Sequence, residues 1–163
     1  MKRALPILCV LLLIPAAVWG VRKFLLKPEE AIRRDLQQLA VLISARPKGN
    51  IAGMTNVERI LGYFVEPLDI KIETAGRTAE ATTLEEIRTA ILGTRAALSS
   101  VLIEIPGVEV RISPDGQTAT ALTTILIDLN NDKHAVVQEM KIDLRKPGKR
   151  WLISGMQTTK SMQ

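Results

Sequence analysis

The chain is short of the residues that usually announce a chemistry. Among 163 residues it has one cysteine, one histidine and few aromatics: two Trp, one Tyr and two Phe. Cys9 lies inside an apolar N-terminal run, so neither an intrachain disulfide nor a cysteine metal cluster can form. With His134 as the single histidine, a histidine-centred metal site has too few ligands. Trp19, Phe24, Tyr63, Phe64 and Trp151 offer few rings for stacking on bases, sugars or flat cofactors. The core must therefore be Ile, Leu, Val and Ala. The glycines in "IAGMTN" and "LGTRA" lack phosphate-loop spacing, and the "NND" turn lacks the further acids of a calcium loop. No serine or threonine has a nucleophile context, and "TATALTT" reads as a β-branched strand. We expect no cofactor, no metal and no nucleic-acid partner. The net charge of +5 is modest, and without Lys2 and Arg3, which precede the apolar run, it falls by two to +3.

What is present begins with that run. Ala4 to Val21 carries no charge over 18 residues, roughly 27 Å as a helix. That is close to the hydrocarbon thickness of a bilayer and long for the centre of a signal peptide. Pro15 divides it. The segment "PAAVWG" resembles the approach to a cleavage site after Gly20, with Val18 and Gly20 as the small residues. Trp19, Arg22, Lys23 and Lys27 resemble an interfacial belt of one ring and several cations. Bulky Leu8 before Cys9 argues against a lipoprotein signal. The expected organisation is an N-terminal membrane anchor or signal peptide over 1–27 and one folded domain over 28–163. The anchor reading makes a single-pass protein with its C-terminal domain extracytoplasmic. The cleavage reading makes a secreted or periplasmic one.

The body opens with helices. "KPEEAIRRDLQQLAVLISARPKGN" has Pro28 and two glutamates where a first turn takes them, then Ile32, Leu36, Leu39, Leu42 and Ile43 at helical spacing. "TNVERILGYF" reads as a second helix with a Thr55–Glu58 capping box, and "VEPLDIKIETAG" leads to a short strand. "TTLEEIRTAILGTRAAL" reads as a third helix, boxed by Thr83 and Glu86, with Ile87, Ile91 and Leu98 as its stripe. Gly93 inside it either weakens the helix or permits close packing. From Ser100 the period becomes two, and four strands follow: "VLIEIPGVEVRIS", "QTATALTTILIDLN", "HAVVQEMKIDLRK" and "RWLISGMQTT". Pro106 and Gly107 predict a bulge in the first of them. In "HAVVQEMKIDLRK", Val136, Met140, Ile142 and Leu144 share one face, which Gln138 interrupts. Glu139, Lys141, Asp143 and Arg145 share the other. The expected fold is α+β: three helices packed on a curved, mostly antiparallel sheet, preceded by one hydrophobic helix.

This order resembles the nuclear transport factor 2-like (cystatin-like) superfamily. The resemblance is carried by "EEAIRRDLQQLAVLI", "LDIKI", "TLEEIRTAIL", the long strand "VLIEIPGVEVRI" and the ending "KRWLISGMQTT", over residues 29–160. It implies a cone-shaped sheet closed by helices, which in different members holds a substrate, a partner's side chain or nothing. It is nearly silent on function.

The cone prompts a search for catalytic residues. Isomerase-like members of the superfamily use an Asp base with a Tyr and a second acid, and dehydratase-like members pair His with Asp. The catalytic candidates here are Asp69, Tyr63 and His134. Alternation puts Asp69 with Lys71 and Glu73 on the solvent side. Tyr63 reads as a core-edge residue at the end of the second helix, and His134 as a surface residue of a hairpin. Asp128 near a strand end reads as a turn or solvent contact. The leading expectation is a non-catalytic module, membrane-anchored or exported, that binds a protein partner or dimerises. Two alternatives are a small-molecule binder or polyketide-cyclase-like enzyme, and a subunit of an envelope assembly such as a secretion system.

Overall fold

A computed structural model of the chain describes residues 27–45, 50–74, 77–130 and 132–159. The expected anchor, with Trp19, Arg22 and Lys23, lies outside them, and Lys27 stands exposed at their edge. Among the described residues no helix is long and apolar enough to cross a membrane.

Helix α1, Pro28–Ser44, starts as its residues dictate, with proline at the first position and Glu29 and Glu30 in the first turn. It buries Ile32, Leu36, Leu39 and Ala40. Helix α2, Asn50–Leu61, begins earlier than the Thr55–Glu58 pattern predicts. Thr55 sits one turn inside, where its hydroxyl donates to the Ile51 carbonyl at 3.0 Å, and Glu58 forms an ion pair with Arg88. Helix α3, Leu84–Ala97, does have its capping box. The Glu86 amide donates to the Thr83 hydroxyl at 3.3 Å, and the Glu86 carboxylate accepts from the Thr83 amide at 3.1 Å. A side chain at Gly93 would meet nothing within 4 Å, so close packing does not explain that glycine.

The described residues form seven strands, numbered in chain order: β1 Phe64–Thr74 and β2 Arg77–Ala81 before α3, then β3 Val101–Glu104, β4 Val108–Ile112, β5 Thr118–Leu129, β6 Asp132–Arg145 and β7 Leu152–Thr158. Strand β2 escapes sequence reading, since "RTAEA" has little β-propensity and is held by its ladder to β1. The bulge expected at Pro106 and Gly107 is a full break. Proline cannot donate to the ladder, so the long strand divides into β3 and β4, which both pair with β5. The sheet runs β2-β1-β7-β6-β5-β3, with β4 also on β5. Among the described strands, only β1 and β7 pair in parallel. The β5–β6 turn is made by Asn130 at φ 52°, whose side-chain oxygen accepts from the Ser99 amide and hydroxyl, both at 2.7 Å.

Alternation separates the two sheet faces. Ala119, Ala121, Thr123 and Ile125 of β5 and Met140, Ile142 and Leu144 of β6 are buried against the helices. Glu139, Lys141, Asp143 and Arg145 face the other way, with Lys141 and Asp143 paired at 3.2 Å. Helix α1 lies across the inner face. Its first half meets β4, where the Arg33 guanidinium donates to the Val108 carbonyl at 2.9 Å. Its last turn meets β3, where the Ile103 amide donates to the Ser44 hydroxyl at 2.9 Å. Gly155 marks a close approach of strands: a Cβ there would stand 3.1 Å from the Asp69 carbonyl.

Candidate functional site

Between the helices and the inner face lies a cavity of about 340 Å³, within the range of small-ligand pockets. Its existence follows from the composition. The walls are mostly Ile and Leu, with Val101, Met140, Met156 and four alanines, Ala40, Ala79, Ala81 and Ala90, and the one ring among the described lining residues is Phe64. Aliphatic side chains on a curved sheet leave a space that larger rings would fill. Helix α3 supplies Ile87 and Ile91, α1 supplies Leu36, Leu39 and Ile43, and the sheet supplies Ile70, Ile125, Ile142 and Ile153.

The cavity has a closed end and an open end. Leu36, Leu39, Ile142 and Ile153 are buried and form the floor. Ile43, Ile72, Ile103 and Ile127 remain half-buried, and Ala79, Ala90 and Thr94 are exposed, so solvent reaches the cavity from their side. The polar lining residues belong to this open end: Thr94, Arg95, Gln138 and Glu80. The Gln138 amide donates to the Glu73 carbonyl at 2.7 Å and the Thr158 hydroxyl at 2.9 Å. The Arg95 guanidinium donates to the Gly53 carbonyl at 3.4 Å and to the side-chain oxygen of Asn56. Glu80 pairs in register with Lys71, whereas its neighbours Ala79 and Ala81 pair with Ile72 and Ile70 on the cavity side.

Among the described side chains, Asp69 and Tyr63 do not line this cavity. Asp69 is exposed on the outer face, 3.4 Å from the Lys71 ammonium. Tyr63 follows α2; its hydroxyl donates to the Gln38 side chain at 3.4 Å, and the Arg150 guanidinium lies 5.4 Å from its ring. Asp128 faces outward on β5, opposite Leu102. Asp132 is exposed at the start of β6, and the His134 side chain lies outside the described residues. Among the described residues no cluster of His, Cys, Asp or Glu could hold a metal ion.

One shifted carboxyl lies elsewhere, at the start of α3. The Thr82 and Thr83 amides and the Thr82 hydroxyl hold the Glu86 carboxyl below its ordinary 4.5. This serves the helix cap and not the cavity.

Sequence reasoning did not reach Arg95. A usable signal existed: it stands four residues past Ile91 and eight past Ile87, so an arginine continues an apolar stripe by one turn. Gln138, by contrast, was legible as the polar interruption of the inner face of β6.

No family model and no curated protein matches the chain. Solved structures do. A nuclear transport factor 2-like protein with a cystatin-like fold from Novosphingobium aromaticivorans aligns at TM-score 0.60 and 18% identity, covering 88% of this chain and 90% of that one. The yeast UBP3-associated protein BRE5 aligns at TM-score 0.63 and 9% identity, covering 82% and 96%. A candidate scytalone dehydratase, also from N. aromaticivorans, aligns at TM-score 0.61 and 12% identity, covering 82% and 84%. At these identities the likeness is one of fold: three helices on a mixed, open sheet of seven strands, the nuclear transport factor 2-like cone.

Proposed function

We propose that the chain, a nuclear transport factor 2-like domain, is a non-catalytic binding module held at a membrane on its extracytoplasmic side, and that its cavity receives an apolar group. One observation carries this reading. The cavity is open and lined almost wholly by aliphatic carbon, while Asp69 and Tyr63 are engaged outside it. Such walls bind by excluding water, and among the described lining residues the one carboxyl group is that of Glu80, at the open end.

The test uses a neutral naphthylamine fluorophore with the full chain in lipid nanodiscs, with empty nanodiscs as the reference. Wild type is expected to brighten and blue-shift the dye beyond the empty discs, and Ile91→Trp, which fills the cavity wall, is expected to abolish the gain. Equal signals from both proteins would overturn the reading. The membrane part is tested by alkaline extraction and N-terminal sequencing. Membrane-retained protein beginning at Met1 supports an anchor, whereas release with a new terminus at Val21 sinks it.

A second reading, self-association, has its own observation. On the outer face Leu126 stands opposite Val137, which is 61% exposed. Beside them β6 alternates Glu139, Lys141, Asp143 and Arg145. Two copies packed about a two-fold axis near Ile142 would set Glu139 against Arg145 and Lys141 against Asp143, a self-complementary arrangement. Sedimentation of the full chain measures this directly. A monomer at all concentrations would remove the second reading and leave the first untouched.

A further inference from the structure

We infer that the turn joining β6 to β7 is a lipid-contact surface, and that its Lys146, Lys149 and Arg150 rest on the anionic headgroups of the membrane that holds the chain. The inference goes beyond the cavity and rests on the anchor part of the proposed function. Four observations carry it.

The first is a concentration of one sign. Residues 145–150 hold four cations, and residues 144–163 contain no Asp or Glu. Lys149 and Arg150 are exposed, Lys146 is half-buried, and Arg145 is exposed at the end of β6. Among the described residues none of the four forms an ion pair. The neighbouring carboxylates are engaged. Asp143 meets Lys141 at 3.2 Å and accepts from the Thr120 hydroxyl at 3.0 Å. Asp115, in the adjoining β4–β5 turn, accepts from the Ser113 hydroxyl and, at 2.8 Å, from the Gln117 amide. Glu29 and Glu30 sit in the first turn of α1, at the positive end of its dipole.

The second is that these cations are held in place without being neutralised. The Lys146 amide donates to the Gln117 carbonyl at 2.9 Å, which ties the turn to its neighbour. The Lys146 ammonium stands 5.5 Å from the buried Trp151 ring, and the Arg150 guanidinium 5.4 Å from Tyr63. A ring attracts a cation through its quadrupole and leaves the charge whole. Side chains already restrained in this way lose less freedom on contact.

The third is position. Leu144 pairs with Ile153, so the turn lies just beyond Ile142 and Ile153 at the closed end. None of its cations lines the cavity. The first half of α1 lies at the same end, with Arg33 on the Val108 carbonyl of β4. From Val21, where the apolar run ends, to Lys27 is six residue steps, at most about 21 Å of chain. A membrane anchor would therefore keep the closed end, and this turn with it, near the headgroups.

The fourth is the kind of polyanion. Trp151 is buried and the Tyr63 ring faces Arg150, so neither is free to stack on a base. Cations spread over a turn suit a surface of many single negative charges, where each contributes roughly a fivefold gain in contact.

The experiment uses the full chain with Cys9→Ala and Gly148→Cys, carrying a fluorophore on the introduced thiol; a Cβ at Gly148 meets nothing within 4 Å. The chain is placed in nanodiscs of phosphatidylcholine, or of an equal mixture with phosphatidylglycerol, each with nitroxide-headgroup lipid as quencher. Quenching is expected to be stronger in the mixed discs and to fall to the neutral-disc level in molar salt. A fluorophore placed instead through Ala97→Cys, at the end of α3 beside the open end, should be quenched in neither. Lys146→Gln with Lys149→Gln should lower the ratio of lipid-contacting to free turn by roughly twentyfold to thirtyfold, about fivefold per charge. Lys146→Arg with Lys149→Arg should keep it. The comparison of discs needs no charge variant, so it decides the matter even where one folds poorly. Equal quenching in both discs by chain that co-elutes with them would overturn the inference and leave the anchor standing. Chain that binds mixed discs but not neutral ones would overturn the anchor and keep the lipid contact. A stronger response to soluble polyglutamate than to mixed discs would assign the turn to an acidic protein and overturn the lipid reading.

Discussion

At the closed end of the cavity Ile142 and Ile153 are 1% and 2% exposed; at the open end Ile103 and Ile127 remain half-buried. All four are isoleucines on one sheet, and the same hydrophobic effect acts on each. At the closed end α1 and the sheet already bury them, so their free energy is spent on folding. At the open end apolar surface still meets water, and under the proposed function a ligand would bury it. On that proposal the two ends divide one kind of side chain between stability and binding.

That division can be tested by mutation. The largest effect belongs to Ile142→Ala, expected to cost about 2–5 kcal/mol of stability because it leaves a void among rigid neighbours. Urea denaturation measures it, and a loss below about 1 kcal/mol would place the stabilising core elsewhere. Thr83→Ala removes the cap that starts α3 at the closed end and is expected to cost about 1 kcal/mol. The Glu86 half of the same cap should be visible in pH. Its carboxyl is held low in the folded state, so its contribution is present above the unfolded value near 4.5 and fades as pH falls through the folded value. Glu86→Gln should flatten that acid limb of the stability curve, and an unchanged limb would remove Glu86 from it. The smallest stability change is expected for Ile127→Ala at the open end, below about 1.5 kcal/mol, accompanied by weaker binding of the neutral dye. A variant that lost stability and kept dye affinity would erase the distinction between the ends.

The sequence displays these regions unequally. The start of α1 at Pro28, the Thr83–Glu86 box and the alternation of β6 are local patterns, and local patterns survive in a linear reading. Strand β2 is not such a pattern: Arg77, Thr78, Ala79, Glu80 and Ala81 become a strand only because β1 lies beside them. Thr55 misleads for the opposite reason. It carries a cap spacing, but the helix begins at Asn50 and the hydroxyl bonds back to Ile51. The site shows the same contrast. Gln138 could be seen breaking an apolar face. That Arg95 meets Asn56 and Gly53 depends on how α2 and α3 pack, over 39 and 42 residues of separation.

The direction of α1 carries one last consequence. The chain enters the fold at Lys27, and the helix reaches the mouth only with Ile43, about 24 Å along its axis. Its first half lies against β4 at the closed end, its last turn against β3 at the open one. A tether attached ahead of Lys27 would hold the domain by its base, like a cup standing on its foot. The rim would then face the aqueous phase, and a guest would be handed over from a soluble carrier or a neighbouring protein instead of sliding in from the lipid beneath.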